Sequence, residues 1–314
     1  MWSRARNLRD VEAVLLLAFV GGFVDAAGYL RLQGVFTTSI TGNLVVATSS
    51  VASLRGVLCR SLVCVSFFAA GAVAAALSLR LRLAHGVSQN LVCFGMYGVE
   101  VAFIVASWAI GHSYDSLLLA NKDIDHPINI LLGCLLGASM GFHNVAAKEA
   151  VVNCPPTTVM TSTLINVAQN LSNAIGFLLA KHSWLRLDLG EACLTEEQKV
   201  RMAAKFDDSL GKLATTSKPL VSFIAGCIIG AVTMDKASWH CSIIPITFVL
   251  ALMVDMFLRD RAAIGEQVAA KASAPQMDSS GEPVGEPTTP PCEVPSASGV
   301  ALELLPVSAG VSRC

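Results

Sequence analysis

The sequence predicts an all-α membrane protein, a polytopic helical bundle of two homologous halves. Three observations lead to this prediction. Apolar residues make up 54% of the chain and charged residues only 14%, whereas soluble domains contain roughly 25% charged residues. Several long stretches are almost free of charge, which is typical of membrane-spanning helices. Landmarks in the first part of the chain also recur in the same order in the second part, as an internal duplication would produce.

Six segments are apolar enough to be predicted as membrane spans. The first follows Arg4, Arg6 and Arg9 and is too long for the apolar region of a cleaved signal peptide, so we expect it to remain as an anchor. The fifth is the shortest of the six. In chain order, the predicted spans are Val11–Leu32, Cys59–Leu79, Asn90–Gly111, Pro127–Ala147, Pro219–Met234 and Cys241–Leu258.

Two further segments, Thr37–Ser53 and Thr157–Ala180, are compatible with helices but are rich in Thr, Ser and Asn. Each fits either a full span or a broken, re-entrant element. Non-helical backbone is tolerated at membrane depth only where protein or a water-filled cavity covers it. The sequence leaves both alternatives open.

The internal repeat starts with a motif in the first span. Gly22–Asp25 (GFVD) is echoed by Gly141–Asn144 (GFHN), and a Thr-rich run follows each copy. Further on, Phe68–Gly71 (FAAG) is echoed by Phe223–Gly226 (FIAG). Together with an acidic residue that follows in both copies, Glu100 and Asp255, these make four landmarks in one order, which indicates a duplication rather than chance.

Acidic residues extend the repeat and define its limits. Glu100 lies 29 residues after Gly71, and Asp255 lies 29 residues after Gly226, so the halves cover 11–111 and 127–258. If the Thr-rich segments do not span, each half has three spans and the halves are inverted. If they do span, each half has four spans and the halves are parallel, and both plans occur in transporters. Basic residues near the segment ends do not separate the two plans.

The remaining regions are predicted to lie outside the membrane. They are a basic N-terminal segment, 1–10, an inter-half loop, 112–126, a soluble insertion, 182–218, and a disordered Pro/Ser/Glu-rich tail, 259–314. Within the insertion, Thr195-Glu196-Glu197-Gln198 has the pattern of a capping box and predicts a helix to about Leu213.

The two signatures of the repeat resemble those of the YoaK-like membrane proteins, a family defined by a domain of unknown function. AFVGGFVDAAGYLRLQGVFTTSITGNLV is similar to the first family signature, in which an Asp in the first helix precedes a Thr-Gly-Asn element. GASMGFHNVAAKEA and TTVMTSTLINVA are similar to the second. The resemblance covers about 11–260 and departs at Phe142-His143 and at Thr161-Ser162-Thr163. It implies an integral membrane protein and no established activity.

Ionisable groups at membrane depth are the first candidates for chemistry. Asp25, Glu100 and His143 lie inside apolar segments, where a charge costs at least about 2.5–3.5 kcal/mol on insertion scales and usually faces a bundle interior or a cavity. Asp25 and Glu100 are candidates for coupling to protons or cations, and a structural, hydrogen-bonded role is the alternative. Asp255 is expected to pair locally with Arg259, four residues on.

The Thr-rich runs add polar groups to the predicted site. Thr41-Gly42-Asn43 suits a helix break whose backbone faces a polar ligand, and packing or hydrogen bonds within the helix are the alternative. The predicted substrate- or ion-binding residues are Asp25, Thr41, Gly42, Asn43, Glu100, His143, Asn144, Thr158 and Thr161.

Motifs for enzymes, cofactors and metals are missing from the sequence. It contains no GxSxG, HExxH, P-loop or dinucleotide fingerprint, so no enzyme, cofactor or metal centre is predicted. The cysteines of the apolar segments form no CxxC motif and are expected to be buried small hydrophobes.

The functional hypothesis is a secondary transporter or permease for a small polar or anionic solute. The alternative is a membrane scaffold or sensor that binds soluble partners through the insertion and the tail. An intramembrane enzyme is a third class, which would need Asp25 and Glu100 as a carboxylate pair. The expected partners are the lipid bilayer, a small solute and, in an oligomer, further copies of the chain. With a net charge of −1 and no basic stripe, no nucleic-acid partner is expected.

Overall fold

The structure is a computed structural model that describes residues 2–120, 123–150, 160–181 and 196–273, and the regular structure in these ranges is helical throughout. The side chains of 2–10, 160–162, 176–181, 196–203 and 270–273 are not described. The α-helices are α1 (Trp2–Arg31), α2 (Ile40–Ser49), α3 (Val57–His85), α4 (Gln89–Ser113), α5 (Asp115–Ala120), α6 (Pro127–Ala150), α7 (Met160–Lys181), α8 (Glu196–Ala237) and α9 (Ile243–Ser273). A 3-10 helix, Ser238–Ser242, joins α8 to α9.

Five stretches of the described residues are helical, long and apolar enough to cross a membrane. The first four are Val11–Arg31, Val57–His85, Gln89–Ser113 and Pro127–Ala150, and they coincide to within about six residues with the first four predicted spans. Large apolar side chains are exposed along them, for example Phe68 and Val73 on α3, as expected for helices that face lipid. The structure therefore supports a helical membrane protein.

The fifth stretch, Ala204–Ala269, contains both of the remaining predicted spans. It is 66 residues long, which would make about 99 Å as one straight helix, roughly three times the thickness of a bilayer core. The 3-10 helix at Ser238–Ser242 divides it at the point where the sequence analysis placed a boundary.

Two helices extend beyond their predicted limits. The helix predicted to end near Leu213 continues through Pro219 to Ala237, so that it merges with the fifth predicted span. The tail was predicted to begin at Arg259, but α9 continues to Ser273. Residues 259–273 are mostly strong helix formers such as Ala, Arg, Glu and Lys, whereas the prolines that suggested disorder begin only at Pro275. The rest of the tail lies outside the described residues.

The Thr-rich segments differ in length. The first becomes α2, whose 10 residues rise about 15 Å, half the thickness of a bilayer core. The second contains α7, whose 22 residues rise about 33 Å. The residues that lead into α7, 151–159, lie outside the described ranges.

Contacts between helices fix their relative directions, beginning with two parallel pairs. Along α1 and α8, Ser222 donates to the carbonyl of Leu15 (2.7 Å) and Arg31 donates to the carbonyl of Met234 (3.3 Å), so the contacts advance together on both helices. Along α3 and α6, a Cβ built on Gly133 would lie 2.7 Å from the side chain of Val63, and Arg82 pairs with Glu149 at 2.7 Å. Each of these two pairs is parallel.

The remaining directions follow from contacts at the two ends of the bundle. Asp115, two residues after the end of α4, accepts a hydrogen bond from Ser238 (2.8 Å) and pairs with Arg31 (3.4 Å), so α1, α4 and α8 end together. Asp260 of α9 accepts a hydrogen bond from Ser88 at the other end, just before α4 begins. At that end Gln89, the first residue of α4, also donates to the carbonyl of Glu149, close to the end of α6. Helices α1, α4 and α8 therefore point one way, and α3, α6 and α9 point the other way.

Both parallel pairs cross at glycines. A Cβ on Gly22 would collide with the carbonyl oxygen of Phe223 in α8, and a Cβ on Gly226 would collide with that of Phe19 in α1. In the other pair, a Cβ on Gly141 would lie 2.5 Å from the carbonyl oxygen of Phe67 and 3.0 Å from the backbone nitrogen of Gly71. In a membrane, glycines at such crossings let helix backbones approach closely enough for van der Waals packing.

The crossings lead to a first prediction. The Gly141→Ala substitution places a methyl group against the backbone of α3, so α6 must shift, and such overpacking costs about 1–3 kcal/mol. The Gly95→Ala substitution on α4 is the matched control, because nothing lies within 4 Å of the new Cβ. Thermal unfolding of the detergent-purified protein should give a lower Tm for the first variant and an unchanged or higher Tm for the control. Equal Tm values for the two variants would contradict this account.

Candidate functional site

Asp25 holds the loop between α1 and α2. The residue is 6% exposed. One carboxylate oxygen accepts hydrogen bonds from the backbone nitrogens of Thr37 and Thr38, both at 2.8 Å, and the other accepts one from the hydroxyl of Ser39 at 2.9 Å. These donors satisfy the buried charge and explain why an acidic residue is stable here.

Asn43 fastens the same loop from the α2 side. Its side-chain oxygen accepts a hydrogen bond from the backbone nitrogen of Phe36 (2.9 Å), and its side-chain nitrogen donates to the carbonyl of Phe36 (2.5 Å). A Cβ on Gly42 would lie 3.2 Å from the Phe36 ring, so the small residue leaves room for that ring. Thr41 is exposed. In the structure, the Thr-Gly-Asn element shapes a loop.

A second polar centre joins α1, α4 and α6. The Nδ1 atom of His143 lies 2.9 Å from a carboxyl oxygen of Glu100, and its Nε2 atom lies 3.1 Å from the carbonyl oxygen of Leu17. Both side chains are 0% exposed. We call this pair the Glu100–His143 dyad.

The contacts of the dyad restrict its protonation. Because a carbonyl oxygen can only accept, Nε2 of His143 must donate to Leu17. Nδ1 then either accepts a proton from a neutral Glu100 or donates to an ionised one. The two forms differ only in the position of one proton, and both have zero net charge. The dyad is therefore a place where a proton can be held and moved within the bundle.

Two buried acceptor atoms next to this centre have no hydrogen-bond donor in the described part of the chain. They are the second carboxyl oxygen of Glu100 and the side-chain oxygen of Asn144, the residue after His143. An unsatisfied buried acceptor costs about 1–3 kcal/mol, and such atoms call for an explanation such as a ligand, an ion or a catalytic role. The Glu100 oxygen gives the dyad the capacity to accept a further hydrogen bond.

The structure separates the two predicted coupling residues. Asp25 lies eight residues after Leu17 on α1, which corresponds to about 12 Å of helix rise, and its oxygens are engaged by the loop before α2. Glu100 is engaged by His143 instead. Asp255 forms the predicted local ion pair with Arg259, at 2.7 Å. Thr158 and the side chain of Thr161 lie outside the described residues.

Sequence reasoning missed several of the partners. Glu100 and His143 were each singled out, but not as a pair, because helix direction and rotation are not encoded in spacing. The carbonyl of Leu17 could not have been found, because the acceptor is backbone. Of the cysteines in the apolar segments, Cys59, Cys64, Cys93 and Cys241 are buried and, like Cys134 and Cys227, carry free thiols, as the sequence predicted.

Comparison with known proteins places the chain in a family. Residues 13–254 match the family model described as "Protein of unknown function (DUF1275)". The chain is also 29% identical over 175 residues to the UPF0700 transmembrane protein YoaK of Bacillus subtilis (strain 168), an alignment that covers 54% of this chain and 71% of that protein. No solved structure matches. The chain therefore belongs to the DUF1275 family and is a YoaK-like, multi-pass integral membrane protein.

Proposed function

We propose that the protein is a secondary transporter or permease for a small polar or anionic solute, and that the Glu100–His143 dyad couples transport to protons. The observation that carries this proposal is the complete burial of an ionisable pair between three helices. Glu100 lies 11 residues from the start and 13 from the end of α4, or about 16–20 Å from either end of that helix.

The energetics favour a working role for the dyad. Burying ionisable groups at membrane depth is costly, and those that are retained mark proton relays and ion pathways. Replacing a buried ion pair by packed apolar residues is often neutral or stabilising, so packing alone gives little reason to keep this one. One added proton would give the dyad a positive charge, which would favour an anionic solute. Loss of that proton would release the solute.

We also propose that the chain consists of two homologous halves with three spans each, inverted relative to each other. The paired elements are α1 with α6, α3 with α8, and α4 with α9, and the members of each pair point in opposite directions. The glycine crossings support this plan, because the repeat relates Gly22 to Gly141 and Gly226 to Gly71. One crossing therefore maps onto the other when the halves are exchanged. In this plan α2 is re-entrant, and α7 makes no net crossing.

The distribution of basic residues supports an orientation for this plan. The end of the bundle with the N-terminus holds Arg80, Arg82, Lys148, Arg259 and Arg261, besides Arg4, Arg6 and Arg9 before the first span. The opposite end holds Arg31, Arg55, Arg60 and Lys236 among the described residues, and Arg31 is paired there with Asp115. By the positive-inside rule, the N-terminal end is cytoplasmic. We call the opposite end the outer end.

One observation favours the second candidate function, a scaffold or sensor. Residues 204–218 of α8 are largely polar and exposed, and Asp208 and Lys212 pair with each other there at 2.6 Å. Such a surface suits a soluble partner. An enzyme receives less support, because Asp25 and Glu100 are engaged by separate partners rather than by each other.

The proposed topology is tested with reporter fusions. The chain is truncated after Gly34, Ser53, Gly86 or Tyr114 and fused to alkaline phosphatase, which is active outside the cytoplasm, or to GFP, which fluoresces inside it. Because α2 returns to the outer end in the proposed plan, the fusions at 34, 53 and 114 should have phosphatase activity, and the fusion at 86 should fluoresce. Four spans per half would invert the pattern at 53, 86 and 114. The fusion at 34 is the control, because it lies outside in both plans.

The coupling role of the dyad is tested in proteoliposomes. Uptake of a panel of small anionic and polar solutes is measured under an imposed pH gradient. A pH-sensitive dye inside the vesicles measures the accompanying movement of protons. Glu100→Gln and His143→Gln should each reduce proton-coupled uptake by at least about 100-fold while leaving the amount of folded protein unchanged. Asp255→Asn, at the equivalent position of the second half, should keep uptake near the wild-type level.

Two outcomes would count against this role. If Glu100→Gln takes up solute as well as the wild type does, the dyad does not couple transport to protons. The scaffold or sensor would be favoured if no solute of the panel is taken up and if replacing residues 196–218 abolishes the activity of the protein in cells.

We propose a positioning role for Asp25, which gives a different expectation for Asp25→Asn. The new amide group turns a donor toward atoms that are themselves donors, so the loop at Thr37–Ser39 should lose hydrogen bonds worth about 1.5–3 kcal/mol each. Folded protein, measured by size-exclusion chromatography, and uptake should fall together. Loss of uptake with a full yield of folded protein would instead return Asp25 to the coupling site.

A further inference from the structure

Two histidines meet at the outer end of the bundle. His112 lies near the end of α4 and His240 lies in the 3-10 helix between α8 and α9. Their ring centroids are 4.5 Å apart, with an angle of 53° between the planes. Both side chains are exposed, so a solute ion can reach them.

The backbone next to each histidine is held in place. Gly111, directly before His112, packs against the indole of Trp239, directly before His240, so closely that any Cβ on the glycine would collide with the ring. Trp239 is 2% exposed. This contact sets the register between the two segments and brings the following residue of each segment to the same place.

A polar network fixes the same region from the other side. Ser238 donates a hydrogen bond to Asp115 at 2.8 Å, and Asp115 pairs with Arg31 at 3.4 Å. The histidines thus extend from a rigid frame in which the ends of α1, α4 and α8 are joined. A binding site on such a frame loses little entropy when a ligand binds.

We propose that His112 and His240 form a two-histidine binding site for a divalent transition-metal ion of the Cu²⁺ and Zn²⁺ class. Imidazole nitrogen is a preferred ligand for these ions. Two imidazole nitrogens bound to one tetrahedral zinc at about 2.0–2.1 Å lie about 3.4 Å apart. The rings of His112 and His240 are exposed and already in contact, so rotation of the side chains can bring two of their nitrogens to this separation. The described residues contain no cluster of three or more His, Cys, Asp or Glu suited to a metal, so water completes the coordination.

The position of the site gives it a structural consequence. The metal connects the end of α4 to the turn between α8 and α9, so binding stabilises the joined state of the outer end. The site does not depend on the transporter proposal, because it uses neither the Glu100–His143 dyad nor any solute. It holds equally for a scaffold.

The test uses the full-length protein purified in detergent and titrated with CuCl₂. Pulsed EPR of the complex with one equivalent of Cu²⁺ should detect two coordinated imidazoles. Tryptophan fluorescence should be quenched saturably, because the ring of Trp108 lies 6.2 Å from that of His240. His112→Gln and His240→Gln should each leave one coordinated imidazole or none and weaken binding at least about 10-fold.

A third histidine provides the matched control. His85, an exposed residue at the end of α3 and at the opposite end of the bundle, is replaced in His85→Gln, and this variant should bind as the wild type does. Size-exclusion profiles establish that the variants are folded. The proposal is overturned if either His112→Gln or His240→Gln keeps the wild-type EPR signature and affinity. It is also overturned if the wild type shows no bound imidazole pair.

Discussion

The structure depends on the close crossing of helix backbones at glycines. Helices in a bilayer gain little from hiding apolar surface from one another, because lipid tails are as apolar as the side chains, and packing has to come from close fit. Gly22 and Gly226 let α1 approach α8, and Gly71 and Gly141 do the same for α3 and α6. These contacts fix the rotation of each helix about its axis, and rotation decides which side chains face inward.

The polar centres are placed by these crossings. His143 comes two residues after Gly141, so the contact of Gly141 with α3 turns the imidazole toward α4 and α1. There the imidazole contacts the carboxyl group of Glu100 and the carbonyl of Leu17. Asp25 comes three residues after Gly22 and faces the loop before α2. A short glycine-led motif therefore sets both the packing of a helix and the direction of its polar residue.

Most of the fold could be predicted from the sequence, whereas the pairing within the site could not. Runs without charge located the spans, because the cost of burying charge in lipid is large and local. The tail was predicted to begin at Arg259, whereas α9 continues to Ser273. The evidence for the tail was its proline content, and the prolines begin only at Pro275. Asp25 and Glu100 were assigned to one hypothesised site because both are carboxylates inside apolar segments. Buried carboxylates have many ways to be satisfied, and backbone donors at Thr37 and Thr38 satisfied one of them.

The two proposed halves differ in their chemistry, and the difference has a physical reason. Glu100 and Asp255 occupy matching positions, yet Asp255 is paired with Arg259 on its own helix, one turn further on. Glu100 has no basic residue one turn further on and pairs instead with His143 of α6, which belongs to the other proposed half. A charge that is satisfied within one helix is independent of how the halves are arranged, whereas a charge satisfied across the halves responds to any movement between them. In the inverted-repeat transporter proposed above, only the second kind could link protonation to movement, which is why the coupling step is proposed at the Glu100–His143 dyad.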